Sequence, residues 1–281
     1  MVERQRGLSL VTHAVLILGV LIVAFPVYLT LVASTHTAQE LLGRIPLWFG
    51  NRLLENYGRV LGKGLRSAGG APVATMMLNS LVMALAIAIG KIAISIISAY
   101  AIVYFRFPLR MACFWTIFLT LMLPVEIRIM PTFKVVADLG LLNSYAGLTI
   151  PLIASATATF LFRQFFLTVP DELTEAARID GAGPMRFFGH ILLPLSRTNI
   201  AALFVILFIF GWNQYLWPLL VTTDEGMSTI VMGIKRIVPT GDAAAEWNLV
   251  MATVMLAMLP PVAVVVLMQR WFIKGLIEPE K

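Results

Sequence analysis

The chain has 281 residues, of which 59% are hydrophobic and only 13% charged, against roughly 45–50% and about 25% in soluble domains. With a mean hydropathy of +0.88, too few charges remain to cover a water-facing globule. A soluble domain, a disordered chain and a collagenous repeat are excluded, which leaves a polytopic membrane protein. The net charge of +6 then reads as cationic loops beside anionic lipid rather than as a nucleic-acid surface. Cys113 is the single cysteine and can close no internal disulfide.

Six apolar stretches approach or exceed the roughly 20 residues that cross hydrocarbon. The first runs from about Leu8 to Ala33 and contains Pro26. It is longer than a signal-peptide core and no small-residue cleavage site follows it, so it reads as an uncleaved span. The others cover about Met76 to Tyr104, Leu109 to Ile129, Gly147 to Leu167, Asn199 to Val221 and Asn248 to Met268. Lipid leaves no partner for unsatisfied backbone, so all six are expected as helices. They form one transmembrane domain over residues 1–281. Ser155, Thr157 and Thr159 mark a face of the fourth span that meets neighbouring helices rather than lipid.

Lysines and arginines divide almost evenly between the two sides, so the short links set the orientation. Arg106 and Arg110 flank the tight turn after the second span, and Arg270 and Lys274 follow the last. Both termini are therefore expected in the cytoplasm. The long link at 34–75 falls outside, and the link at 168–198 falls inside.

That inner link has the pattern of two short helices. Pro170-Asp-Glu is a helix start with acids at the positive end of the dipole. Leu173, Ala176, Ala177 and Asp180 are expected on one side, and Gly181 supplies a left-handed stop. Gly183-Pro184 starts a second helix with an apolar edge of Phe187, Phe188 and Ile191, which Pro194 is expected to end. Two readings stand: an amphipathic linker resting on headgroups, or a knob that docks into a partner's groove.

Ionisable and polar groups inside the spans are the other candidates. Lys91 lies near the middle of the second span among Ala84, Ala88, Ser95 and Ser98. A lysine at that depth must face protein or water, either as a cation beside a translocation path or as half of a structural pair. Glu126 and Arg128 sit between Pro124 and Pro131, where the third helix breaks or ends. They line an outer vestibule or form a salt bridge that fixes the helix end. Trp212, Asn213 and Gln214 place indole and amide groups inside the fifth span, where a neighbouring helix or a solute must meet them. His13, His36 and His190 are dispersed, without the spacing of metal ligands. Gly58-x-x-x-Gly62-Lys63-Gly64 is one residue too short for a phosphate loop and lacks its Ser/Thr. No catalytic constellation is present.

Glu175-Ala-Ala, Gly181 after three residues, and Ile191-x-Leu193-Pro194 after nine more resemble the EAA loop of ATP-binding-cassette importer permeases. The Trp212-Asn213-x4-Pro218 block and the Lys274-Gly275 ending resemble the carbohydrate (maltose-type) group of that family. Within it, Tyr104–Arg110, Leu123–Arg128, Asn143–Leu148, Phe160–Phe166 and Trp212–Leu219 are similar to the branch that imports sn-glycerol 3-phosphate. The resemblance implies an all-α integral membrane protein of the type I importer fold, with six transmembrane helices and a cytoplasmic coupling helix. Glu175, Ala176, Ala177, Arg178, Asp180, Gly181 and Gly183 then contact the ATPase. It further implies a homologous second permease, two copies of a cytoplasmic ATPase that hold ATP and magnesium, and an extracytoplasmic solute-binding protein in a bacterial inner membrane. No cofactor is expected on this chain, and no nucleic-acid partner. A neutral-sugar permease of the same build is the nearest rival. A secondary transporter is disfavoured because no inverted pair of broken helices of the expected kind is seen, and an enzyme or scaffold by the missing catalytic groups.

Overall fold

A computed structural model of the chain describes residues 2–62, 71–120, 123–238 and 246–277. Among the described residues every regular element is helical. Two compact units are present, Met1–Thr75 with Gly233–Leu259, and Met76–Met232 with Pro260–Lys281.

The first unit contains α1 (Val2–Ala33), α2 (Ala38–Leu41) and α3 (Leu53–Gly62), with the start of the last helix, α15 (Trp247–Ile277). From Ser9 to Tyr28 every side chain of α1 is exposed. An apolar helix bare on all sides is stable only against lipid or another chain. Its end is held by polar contacts instead. Asn56 donates through Nδ2 to the carbonyls of Ser34 and His36 at 2.8 and 2.9 Å, and accepts from Asn248 at 3.1 Å. Arg59 pairs with Glu246 at 2.8 Å.

The second unit is built around α4 (Val73–Tyr104), which enters it at Met76. Met83 and Ile87 of α4 pack with Val136 of α6 (Val125–Asp138), Leu148 of α7 (Tyr145–Thr149), and Trp217 and Val221 of α13 (Leu216–Val221). Prolines dictate how these elements are broken. Pro151 lies in a 3-10 turn at Ile150–Leu152 and cannot donate to the carbonyl four residues back. That carbonyl, of Gly147, accepts from Trp217 Nε1 at 3.2 Å instead. The chain then bends by 46° into α8 (Ala156–Phe166), so the expected fourth span is a bent pair. The fifth is also divided, into α12 (Arg197–Trp212) and α13, with the break upstream of Pro218.

The expected third span is corrected more strongly. Residues Leu109 to Ile129 do not form one helix: α5 (Arg110–Leu119) is ten residues long, and Pro124 caps α6 as a fresh start. Pro131 lies inside α6 and does not end it. Three helices, Ser9–Ala33, Val73–Tyr104 and Trp247–Trp271, are individually long and apolar enough to cross a membrane. Counting each bent pair as one span raises the number to five. Broken helices are thus present among the described residues.

Candidate functional site

The link between α8 and α12 folds as a surface element of short helices. α9 (Asp171–Ile179) starts after Pro170 with Asp171 and Glu172 in its first turn. It ends with Gly181 at φ +71°, the Gly181 N–H on the Arg178 carbonyl at 3.0 Å and the Ala182 N–H on the Ala177 carbonyl at 2.8 Å. This pair of bonds is a Schellman stop, which needs a residue at ease in the left-handed region. Gly183 then caps α10 (Pro184–Phe187). Pro194 does not end the second helix: a π turn at Phe188–Leu192 leads into α11 (Leu193–Leu195), and the chain bends by 70° only at Ser196.

The element is seated on the end of α4 by aromatic rings. Tyr100 donates to the Pro184 carbonyl at 2.7 Å, and its ring centroid lies 4.8 Å from that of Phe188. Tyr104 lies 5.4 Å from Phe187, which is buried. A cavity of about 120 Å³ beneath α9 is lined by Tyr100, Tyr104, Thr174, Ala177 and Arg178, among others. The two alanines therefore part company. Ala177 is buried against the body of the protein, whereas Ala176 is exposed with Glu175, Arg178 and Asp180. Leu173, Ala176, Ala177 and Asp180 share one side of the element by helical spacing, but of the four only Ala177 is buried, and Thr174 with Ala177 takes the inward side. Ile179 and Met185 stand 86% and 74% exposed at the tips of the two helices, an apolar edge that water does not favour. Tyr100 and Tyr104 escaped the sequence reading. Their i, i+4 spacing at the end of an apolar helix was the available signal.

Lys91 is the buried cation of the second unit, 8% exposed on α4. Its ammonium lies 4.0 Å from the centroid of the Phe210 ring of α12. Neither ion pair among the described residues, Arg52–Glu55 or Arg59–Glu246, involves it. A lysine at bilayer depth costs roughly 2.5–3.5 kcal/mol, and a desolvated cation–π contact returns about 2 kcal/mol. The ring offsets part of the cost, and among the described residues no ion pair with a carboxylate offsets the rest. The small face around Lys91 is a packing face. Ser95 donates to the Ser155 carbonyl at 3.2 Å, a Cβ on Gly90 would lie 2.7 Å from Ile153, and one on Gly211 would lie 2.9 Å from the Ala84 Cα. Unwound backbone at Ile153–Ser155 therefore runs beside Lys91.

Arg128 is exposed on α6, beside Ile129, which packs against the cluster that contains Ile87 of α4. Glu126 is helical, but its side chain lies outside the described residues. Trp212 is buried and stacked on Phe208 with centroids 6.0 Å apart. Asn213 is exposed where α12 ends, and Gln214 donates to the Phe210 carbonyl at 3.2 Å. Trp212 and Gln214 are thus both engaged by α12. Among the described residues no three His, Cys, Asp or Glu side chains gather as metal ligands.

A family model described as binding-protein-dependent transport system inner membrane component matches residues 91–278, which contain Lys91, both bent pairs and the surface element. The chain belongs to that family. The chain is 61% identical to the sn-glycerol-3-phosphate transport system permease protein UgpE of Rhizobium meliloti, with all of both chains covered. The proteins of the same description from Brucella melitensis and Yersinia pestis are 60% and 58% identical over the full length of both chains. A solved bacterial ABC transporter involved in the import of the acidic polysaccharide alginate matches with a TM-score of 0.82. It is 20% identical, and 95% of this chain and 97% of that one are covered. This inner membrane component is accordingly a permease subunit of an ABC transport system and not an enzyme, and ATP hydrolysis belongs to a separate subunit. Membership also overturns the secondary-transporter alternative.

Proposed function

We propose that this permease moves sn-glycerol 3-phosphate across the inner membrane, coupled to ATP hydrolysis in a partner. The observation that carries the reading is identity near 60% along the whole chain to permeases named for that solute. At that identity the second unit and the surface element share one design. The chain works as a single transmembrane domain of six spans, the third being completed by α5 and α6 together. Both termini and the α9–α11 element lie on the cytoplasmic side.

In the assembled importer a homologous second permease completes the path, two copies of a cytoplasmic ATPase hold ATP and magnesium, and an extracytoplasmic binding protein delivers the solute. Glu175, Ala176, Arg178, Asp180, Gly181 and Gly183 meet the ATPase, because they are the exposed residues of the motif. Ala177 serves the same contact from behind by seating α9 on Tyr100 and Tyr104. The translocation path runs along Lys91, Arg128 and Glu126, with Asn213, Gln214 and Trp212 at the break between α12 and α13. Movement of the ATPase pair is passed through the surface element to the end of α4.

The test is reconstitution of the complete importer in vesicles, with uptake of labelled sn-glycerol 3-phosphate measured in the presence and absence of ATP. ATP-dependent uptake of this solute in preference to a neutral disaccharide is expected. Uptake of the disaccharide alone would overturn the assignment.

A further inference from the structure

We infer that Lys91 and Arg128 are two successive stations for the phosphate group of the solute, Arg128 at an open mouth and Lys91 in the closed interior. The inference rests on the proposed function and gives it a chemical basis within this chain. Lys91 is more than nine-tenths buried, with its ammonium against the Phe210 ring. α4, which holds it, and α12, whose Phe210 ring lies against its ammonium, contain no Asp or Glu at all, and neither do α7 and α8. The acids of α6 are Glu126 and Asp138. Asp138 is exposed at the far end of that helix, and the side chain of Glu126 lies outside the described residues.

Depth supports the same assignment. Along α4, Lys91 lies about 18 Å beyond Asn79 and about 14 Å before Tyr100, at 1.5 Å per residue. Asn79 is bound to Tyr145 and to the loop at Gly226–Ser228, and Tyr100 is bound to the surface element. The lysine is therefore midway between the two polar ends of the unit. Ile129, the neighbour of Arg128, packs against the cluster that contains Ile87, one turn before Lys91 on α4. Two cations on adjoining elements, one exposed and one enclosed, have a common complement in a dianion. A phosphate monoester carries nearly two negative charges near neutral pH. Unwound backbone at Ile153–Ser155 and the Asn213–Tyr215 break flank the lysine's neighbours on α8 and α12. The walls of the station are thus the parts of the fold least bound by helical hydrogen bonds.

The experiment uses the reconstituted importer carrying Cys113→Ser, with Lys91→Met, Lys91→Arg, Lys91→Cys and Arg128→Gln added singly. For Lys91→Met, uptake of sn-glycerol 3-phosphate is expected to fall at least tenfold, while ATPase stimulation by the loaded binding protein stays within twofold. Lys91→Arg should retain uptake within threefold. Aminoethylation of Lys91→Cys, which restores an ammonium, should recover uptake, and a neutral thiol methylation should not. Arg128→Gln should lower uptake about threefold at low ionic strength and hardly at all at high, because exposed charges are screened. The Lys91→Met loss should be independent of salt.

Uptake by Lys91→Met within twofold of the parent overturns the inference, as does equal rescue by the neutral reagent. Failure of both Lys91→Met and Lys91→Arg to assemble with the partner subunits would make the lysine a structural charge and also overturn it. Screening-independent loss in Arg128→Gln overturns the order of the stations. If the unsubstituted importer takes up no sn-glycerol 3-phosphate, the proposed function fails instead, which separates the two.

Discussion

The Tyr100 hydroxyl donates to the carbonyl of Pro184 at 2.7 Å, tying the end of a 32-residue apolar helix to the first residue of α10. The contact joins the two parts of the second unit whose movements must be linked if a cytoplasmic engine is to drive a membrane path. Pro184 has no N–H of its own and stands at the first position of its helix, where the backbone is pre-set. The acceptor is therefore held on short, stiff backbone. Three rings surround the donor, with centroids of Tyr104, Phe105 and Phe188 at 5.4, 5.3 and 4.8 Å.

Removing that joint should loosen coupling before it loosens the fold. Tyr100→Phe deletes one neutral hydrogen bond, worth about 1 kcal/mol, and keeps the ring. Tyr100→Ala also deletes aromatic contacts worth roughly 0.5–1.5 kcal/mol each. We expect the ratio of solute moved to ATP hydrolysed to fall less than twofold for Tyr100→Phe and more than fivefold for Tyr100→Ala. Parallel measurement of uptake and phosphate release in the reconstituted importer checks both. An unchanged ratio in Tyr100→Ala would mean that force does not pass through α4.

Gly181 allows a cleaner separation of backbone from side-chain effects. At φ +71° it is in the left-handed region, yet a Cβ there would meet nothing within 4 Å. Any penalty for substitution is conformational, about 1–2 kcal/mol for an ordinary L residue and more for a β-branched one. Gly181→Val should unwind the Schellman stop, displace α9 and abolish ATP-coupled uptake while membrane insertion is retained. Gly181→Asn tolerates that geometry and should keep at least half of the uptake. Equal activity of the two variants would show that the turn's conformation is immaterial to coupling.

Much of the surface element was legible because its signals are local. Pro170, the acids after it, Gly181 and Gly183-Pro184 each act within one turn, and each stands where the sequence places it. Orientation of α9 was not legible. Nothing in Ala176-Ala177 tells which methyl faces inward, and the decision falls to Tyr100 and Tyr104, more than seventy residues away. The broken spans were half legible for the same reason. Pro124 and Pro131 marked a break in the third span, whereas the bends near Pro151 and Pro218 were not read, because hydropathy alone treats a bent pair as one continuous stretch. That the orphaned Gly147 carbonyl is met by the Trp217 indole depends on a tertiary contact that no spacing rule contains. The position of Lys91 in the second span left it facing protein or water; that it is buried against an aromatic ring was not legible.

Close approach of α12 to α4 makes a prediction about packing. A methyl added to Gly211 would lie 2.9 Å from the Ala84 Cα and 3.4 Å from its carbonyl oxygen. The obstacle is backbone, so no rotamer change relieves it. Gly211→Val should destabilise the purified permease by about 1–3 kcal/mol, the range of overpacked cores. A second substitution, Ala84→Gly, should not restore it, since the atoms in the way remain. Thermal unfolding of the single and double variants in detergent is the measurement, and recovery in the double variant would place the clash elsewhere.

Asn79 should prove the least replaceable polar residue of the second unit. It is 2% exposed, and its Nδ2 donates to the carbonyls of Gly226 and Ser228 at 2.7 and 3.0 Å. Its Oδ1 accepts from the Tyr145 hydroxyl at 2.6 Å, so one amide uses its capacity on three partners. Asn79→Leu is close in volume but strands two carbonyls and a phenol, each left without a partner at about 1–3 kcal/mol. Asn79→Asp keeps the acceptor, loses both donors and sets a carboxylate against two carbonyl oxygens, which is worse. The loop at 222–229 should then open to added protease well before the rest of the chain, with Asn79→Asp cleaved faster than Asn79→Leu. Neighbouring Ser80 accepts from the Ile230 N–H at 2.9 Å and holds the loop's far end. Ser80→Ala should accordingly produce a milder form of the same lability, and protection of the loop in all three variants would show that it is held by something other than α4.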